Sequence, residues 1–228
     1  MGRVVNAEKK IGAPLRALAY ASIAAGATAA AYLIFHSAEK PRRSETMPPP
    51  GARLLALMAA PAASRAPGMR TKSGACAGTG ARPDPACTPG AVFPQASARD
   101  ICAEGYARGA RNVSVSLKRQ VYAAYGLDYP EAPGAYEVDH LIPLELGGSN
   151  DISNLFPQPA APPPGFREKD LVENYLHEEM CGGEIALGAA QNQIAHDWIA
   201  VYDALTPDEL AALRAQSAAW TRNGAEPP

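Results

Sequence analysis

The chain has 228 residues, a formal net charge of −2 and an aromatic content of 7%. This near-neutral balance excludes a protein whose overall basic field draws the whole chain onto nucleic acid, so any such contact must be local. The length and the scarcity of aromatic residues favour one domain with long non-globular extensions.

The N-terminal segment has the pattern of an export signal. Residues 1–16 contain four basic side chains, and the run from Ala17 to Phe35 contains no charged residue. Such a run is just long enough to cross a bilayer, which favours a signal anchor or signal peptide over residues 1–36. A buried Ala-rich helix is the alternative, and a start at Met47 would give a second, weaker signal-like segment. We expect an exported, periplasmic or extracytoplasmic protein, attached to the membrane through residues 17–35.

The next segment, residues 37–90, is rich in Pro, Ala, Gly, Ser and Arg and shows no sustained periodicity. This composition is typical of a disordered linker. We expect the folded domain to occupy residues 91–222.

The four cysteines lack the C-x-x-C spacing of zinc knuckles and thioredoxin-like sites. An even number of cysteines in an exported chain favours disulfides. Among the possible connectivities we favour Cys76 with Cys87, which closes a local loop. Cys102 with Cys181 would then tie the start of the domain to its last third.

The hydrophobic pattern places a small number of elements along the domain. In chain order it predicts a helix over 116–126 capped by Ser116, a strand over 136–140, a turn over 147–151 and a returning strand over 154–156. Three helices should follow: one over 166–180, one over 187–205, and one that begins at a capping box at 206–209. The proline-rich stretch that follows residue 156 should end the second strand, because proline cannot donate to a ladder. Strand, loop, strand and helix form the expected centre of the domain.

The segment from Tyr136 to Pro159 reads YEVDHLIPLELGGSNDISNLFPQP. It resembles the core of HNH endonucleases, in which an Asp-His pair ends one strand and an Asn lies on the returning strand. The resemblance covers about 83–202 and includes LKRQVYAAYG, KDLVENYLH and AQNQIAHDW. It implies an α+β domain whose small ββα-metal hairpin and helix are wrapped by additional helices.

The resemblance also implies a metal-dependent endonuclease that hydrolyses phosphodiester bonds of DNA, with RNA as a further substrate and little sequence specificity. His140 would be the general base, because an imidazole with a pKa of about 6.5 can accept a proton near neutral pH. Asp139 would bind one divalent cation, Mg²⁺ or Mn²⁺, for which carboxylate oxygens are suitable ligands. Asn154 would brace the loop that carries the base and so orient His140.

The sequence offers several candidates for the remaining metal ligand. HNH proteins often place a His or Asn in the helix soon after the second strand, and residues 162–170 contain neither. Glu173 is our first choice, with His177, Glu145 through a water, or water alone as alternatives. A solvated face of paired charges along the same helix is a further alternative for Glu173. Lys169 or Arg167 would hold a substrate phosphate.

Two other classes of function fit the same residues. One is a non-catalytic exported binding module that retains the HNH scaffold, and the other is a hydrolase that uses the same metal site on another substrate. The sequence has no zinc finger, helix-turn-helix or basic helix that would read bases. Contacts to the nucleic-acid backbone are therefore the expected mode of binding.

Overall fold

The computed structural model describes residues 68–223, with side chains up to Ala219. The anchor predicted at residues 1–36 and most of the predicted linker lie outside this range. Within it, no helix has the length and apolar character needed to span a bilayer.

The described residues combine six helices with one small antiparallel sheet, which confirms the α+β class. In chain order the elements are α1 (Ala98–Ile101), α2 (Tyr106–Ala110), α3 (Val115–Ala124), β1 (Tyr136–His140), β2 (Leu155–Pro159), α4 (Phe166–Cys181), α5 (Leu187–Ala204) and α6 (Pro207–Asn223). Two single-turn 3₁₀ helices, Leu144–Leu146 and Ile152–Asn154, lie in the loop between the strands.

Side chains at the helix starts fix several of these boundaries. The predicted capping box of α6 is present, because Glu209 accepts hydrogen bonds from the backbone and hydroxyl of Thr206 and donates its own N–H back to that hydroxyl. Helix α3 begins earlier than expected. Its cap is Ser114, whose hydroxyl accepts from the N–H of Leu117 at 3.1 Å, and not Ser116.

The hairpin pairs β1 with β2 in antiparallel register, with His140 opposite Leu155 and Tyr136 opposite Pro159. The second strand therefore runs through Pro157 and Pro159, beyond the end at residue 156 that its prolines predict. Each strand of a two-stranded ribbon has an outer edge that needs no partner. A proline whose missing N–H faces that edge leaves the ladder intact.

The main core forms where α4 and α5 pack together beneath the loop of the hairpin. Its fully buried members include Val172 and Leu176 of α4, with Ile194 and Trp198 of α5. Helix α5 is interrupted at Asp197, whose backbone is extended and whose carboxylate caps the second half by accepting from Ala200 N–H. Helix α6 covers the outer side of α4 with a smaller apolar cluster.

Both predicted disulfides are present, joining Cys76 to Cys87 and Cys102 to Cys181. The first belongs to the segment predicted as linker, yet both of its cysteines are buried against Ala124 of α3. The last part of residues 37–90 therefore packs on the domain, because its disulfide and its buried Ala81 give it a core contact. Two disulfides indicate an oxidising, extracytoplasmic environment.

Candidate active site at the end of the hairpin

His140 ends β1 and is 4% exposed. Its ring Nε2 lies 3.1 Å from Oδ1 of Asn150, in the loop between the strands. Asn150 is held in turn by the end of α2, because its Nδ2 donates to the carbonyl of Ala110 at 2.8 Å and its Oδ1 accepts from Asn112 N–H at 3.3 Å. The imidazole is thus held through a chain of contacts to a helix far upstream.

These contacts determine which ring nitrogen carries the proton. The backbone partners of Asn150 orient its amide so that the oxygen faces His140, and an oxygen can only accept from Nε2. Burial lowers the pKa of His140 to about 4, more than the nearby Asp139 carboxylate raises it, so the ring is neutral near pH 7. A neutral ring with its hydrogen on Nε2 has its free lone pair on Nδ1, which is the atom that can accept a proton.

Asn154 is the last residue of the 3₁₀ helix that directly precedes β2, one residue before the strand on which it was expected; it is fully buried and braces the loop that follows His140. Its Nδ2 donates to the carbonyls of Ile142 and Ser149 at 2.8 and 2.9 Å, and its Oδ1 accepts from Ile142 N–H at 2.9 Å. The loop is tight beside it, because a Cβ on Gly148 would lie 1.7 Å from the Ile142 carbonyl oxygen. The geometry is that of a brace, because the amide of Asn154 is bonded to backbone groups of the loop.

Lys169 of α4 is fully buried, although the helical pattern places it on a polar face. Its Nζ donates to Asp139 Oδ2 at 3.0 Å, to the His140 carbonyl at 2.7 Å and to Glu173 Oε1. Burial alone would lower the pKa of Lys169, but the carboxylates of Asp139 and Glu173 outweigh it and raise that pKa above its usual value. The ammonium is therefore charged, and it does not reach the surface where a substrate phosphate would bind.

The fold brings together the two expected metal ligands, Asp139 and Glu173. Both of them accept hydrogen bonds from the ammonium of Lys169, which lies between them. The other oxygen of Asp139 accepts the N–H of His140 at 2.7 Å. Among residues 68–223, no three His, Cys, Asp or Glu side chains are arranged so that they could hold a metal ion. As arranged here, the residues do not fit a divalent cation at this position.

The alternative ligands have other partners in the fold. His177 Nδ1 donates to the backbone carbonyl of Glu145 at 2.8 Å, and so ties α4 to the hairpin loop. The carboxylate of Glu145 is buried, which raises its pKa, and it lies 3.9 Å from a guanidinium nitrogen of Arg111. Glu173 already accepts from the ammonium of Lys169 on the same helix.

Two arginines with exposed side chains lie near the buried network around Lys169. Arg167 was expected from the sequence, and its guanidinium stacks 4.6 Å from the centre of the Phe166 ring. Arg111, just after α2, was not expected, and half of its side chain is accessible to solvent. Its positive charge is among the causes that lower the pKa values of His140 and Glu145, which places it beside the site. No local pattern in the sequence distinguishes it from the other arginines.

Comparison with known proteins adds no assignment: no family model, no curated protein and no solved structure matches the chain.

Proposed function

We propose that the chain is a nuclease that hydrolyses phosphodiester bonds of DNA, with RNA as a further substrate and with little sequence specificity. One observation carries the proposal: the buried, neutral imidazole of His140 commits its Nε2 hydrogen to Asn150 and keeps the lone pair of Nδ1. That is the state required of a general base.

We interpret β1, β2 and α4 as the ββα core that the HNH resemblance implies. The contacts of Lys169 with Asp139 and with the His140 carbonyl join the helix to the end of the hairpin, which supports this reading. In this arrangement Asn154 and Lys169 are positioning residues, because they act on the backbone around His140 and not on a substrate.

The chemical step we propose is the attack of water on the phosphorus atom. Nδ1 of His140 takes one proton from the water while its oxygen forms the new bond to phosphorus. The bond from phosphorus to the leaving sugar oxygen breaks, and that oxygen takes a proton from solvent, giving a phosphomonoester and a free hydroxyl. The exposed guanidiniums of Arg111 and Arg167 would pair with the non-bridging phosphate oxygens.

We also propose that the protein is exported and held at the membrane by residues 17–35. The two disulfides of the described domain support export. Protease added to spheroplasts should digest the domain, while a pool that stays protected until lysis would reject this localisation.

Plasmid cleavage by the purified full chain tests the activity. His140→Ala should reduce the cleavage rate by about two to four orders of magnitude, because it removes the proton acceptor. His196→Ala is the matched control, since His196 lies on α5 and lines a cavity of about 310 Å³ together with Arg82 and Pro83. Equal rates in both variants and the wild type would reject His140 as the base.

A second candidate is a non-catalytic exported binding module that retains the HNH scaffold. The burial of His140, together with the use of Asp139 and Glu173 by Lys169, favours it. A wild-type chain that binds DNA, measured by fluorescence anisotropy, but cleaves neither DNA nor RNA under any metal condition would select this candidate.

A further inference from the structure

The ammonium of Lys169 has the surroundings of a bound cation. An ammonium carries three N–H groups, and all three point at oxygens, from Asp139, from the His140 backbone and from Glu173. Such a set of oxygen donors is also what a hard divalent cation requires. Here the positive charge is supplied by the chain itself.

A divalent cation could use these oxygens only by displacing the ammonium, since two cations on the same pair of carboxylates repel each other. Lys169 has no exposed surface, because α4 packs it against the end of the hairpin. Both packing and charge therefore keep a divalent cation out of the position that the ammonium occupies.

The same contacts make Lys169 a positioning residue for the base. It holds the carbonyl of His140 directly, and it holds Asp139, whose other oxygen accepts the N–H of His140. Both backbone polar groups of His140 are therefore fixed by one buried network.

We propose that the ammonium of Lys169 takes the place of a divalent cation at the end of the hairpin. The Asp139–Glu173 pair then binds no metal, and phosphodiester hydrolysis at His140 requires none. Metal-free hydrolysis rests on the function proposed above, whereas the lack of metal binding by Asp139 and Glu173 does not.

Direct titration of the full chain with Mn²⁺, followed by electron paramagnetic resonance, tests metal binding without an activity assay. The expected result is that the wild type and Asp139→Asn titrate alike, with no site that depends on Asp139. Stoichiometric binding of Mn²⁺ by the wild type that Asp139→Asn abolishes would overturn the proposal.

Lys169→Met tests whether the ammonium occupies the cation position. Removing the charge leaves the two carboxylates facing each other, so Mn²⁺ affinity should rise by at least about tenfold over the wild type. Lys118→Met, on α3, is the matched control and should titrate like the wild type. A folded Lys169→Met chain with no gain in Mn²⁺ affinity would overturn the proposal. If circular dichroism shows that this variant does not fold, the comparison of Mn²⁺ binding by the wild type and Asp139→Asn decides whether the proposal stands.

Cleavage in excess EDTA separates the metal-free inference from the proposed nuclease function. Cleavage that persists in EDTA and is lost in His140→Ala supports both. Cleavage that needs Mg²⁺ or Mn²⁺ overturns the metal-free inference and leaves the nuclease in place. If no condition gives cleavage, the nuclease is rejected and the Mn²⁺ titrations still decide whether Lys169 closes the cation position.

Discussion

Oδ1 of Asn150 accepts the Nε2 hydrogen of His140 at 3.1 Å, and the amide that provides this oxygen is itself oriented by the backbone of Ala110 and Asn112. The tautomer of a candidate base is thus set by a loop residue and by the end of a helix. A proton on Nε2 is a directly measurable consequence.

The first prediction concerns that tautomer. In the wild type, two-dimensional ¹⁵N–¹H NMR of the imidazole should show Nδ1 unprotonated and Nε2 protonated near neutral pH. Asn150→Ala should lose this preference and reduce plasmid cleavage by about 10–100-fold, as removal of an orienting partner does. Asn192→Ala serves as the control, and a wild-type signal with the proton on Nδ1 would contradict the assignment.

The second prediction concerns the brace of the loop. Asn154→Ala should lower the free energy of unfolding by about 2–4 kcal/mol, because it leaves buried backbone groups of Ile142 and Ser149 without partners. Urea denaturation measures the loss. Asn112→Ala, whose side chain is exposed, should change it by less than about 0.5 kcal/mol. Equal stability of the two variants would remove the structural role of Asn154.

The third prediction is a pH dependence of stability at Asp84. The N–H of Ala77, followed by the ammonium of Lys72, lowers the pKa of this carboxyl from 3.8 to about 2. A lowered pKa stabilises the fold at pH values above the unfolded pKa, and the contribution disappears as the pH falls towards 2. Asp84→Asn should therefore be less stable than the wild type by about 1–2 kcal/mol at pH 7, a value reduced for the partial exposure of Lys72. At pH 2, where half of the folded carboxyls are protonated, the difference should shrink to about 0.4 kcal/mol or less.

Thermal unfolding at a series of pH values measures this difference. Asp128→Asn, which changes an exposed carboxylate, provides the control curve. If the stability difference between wild type and Asp84→Asn stays constant from pH 7 to pH 2, Asp84 does not stabilise the fold through its ionised carboxylate.

The fourth prediction compares the two disulfides. Cys102 and Cys181 are 79 residues apart and Cys76 and Cys87 are 11 apart, so the first bond restricts the unfolded chain more. Replacing both cysteines of a pair by Ala should cost about 4.5 kcal/mol for the long loop and about 2.8 kcal/mol for the short one. Denaturation of the two double variants tests the order, and a larger loss for the short loop would show that native packing dominates.

Several features of this protein could be derived from the sequence because they depend on residues that are close along the chain. The strand that ends in Asp139 and His140, and the capping box of Thr206 and Glu209, need only local periodicity and one turn of helix. For the disulfides, the even number of cysteines and the export pattern predicted that bonds form, and the spacing favoured one of three possible pairings. The tertiary structure decided that pairing, because Cys102 and Cys181 are 79 residues apart.

The role of Lys169 was decided by the tertiary structure alone. Helical spacing shows that Lys169 and Glu173 share one face of α4, but it does not show what that face meets. Asp139, 30 residues earlier, turns an expected surface pair into a buried network. Asn150 is a similar case, since its amide is oriented by a carbonyl 40 residues upstream. A residue pattern records which side chains lie together on an element, whereas burial and protonation depend on the distant segments that pack against it.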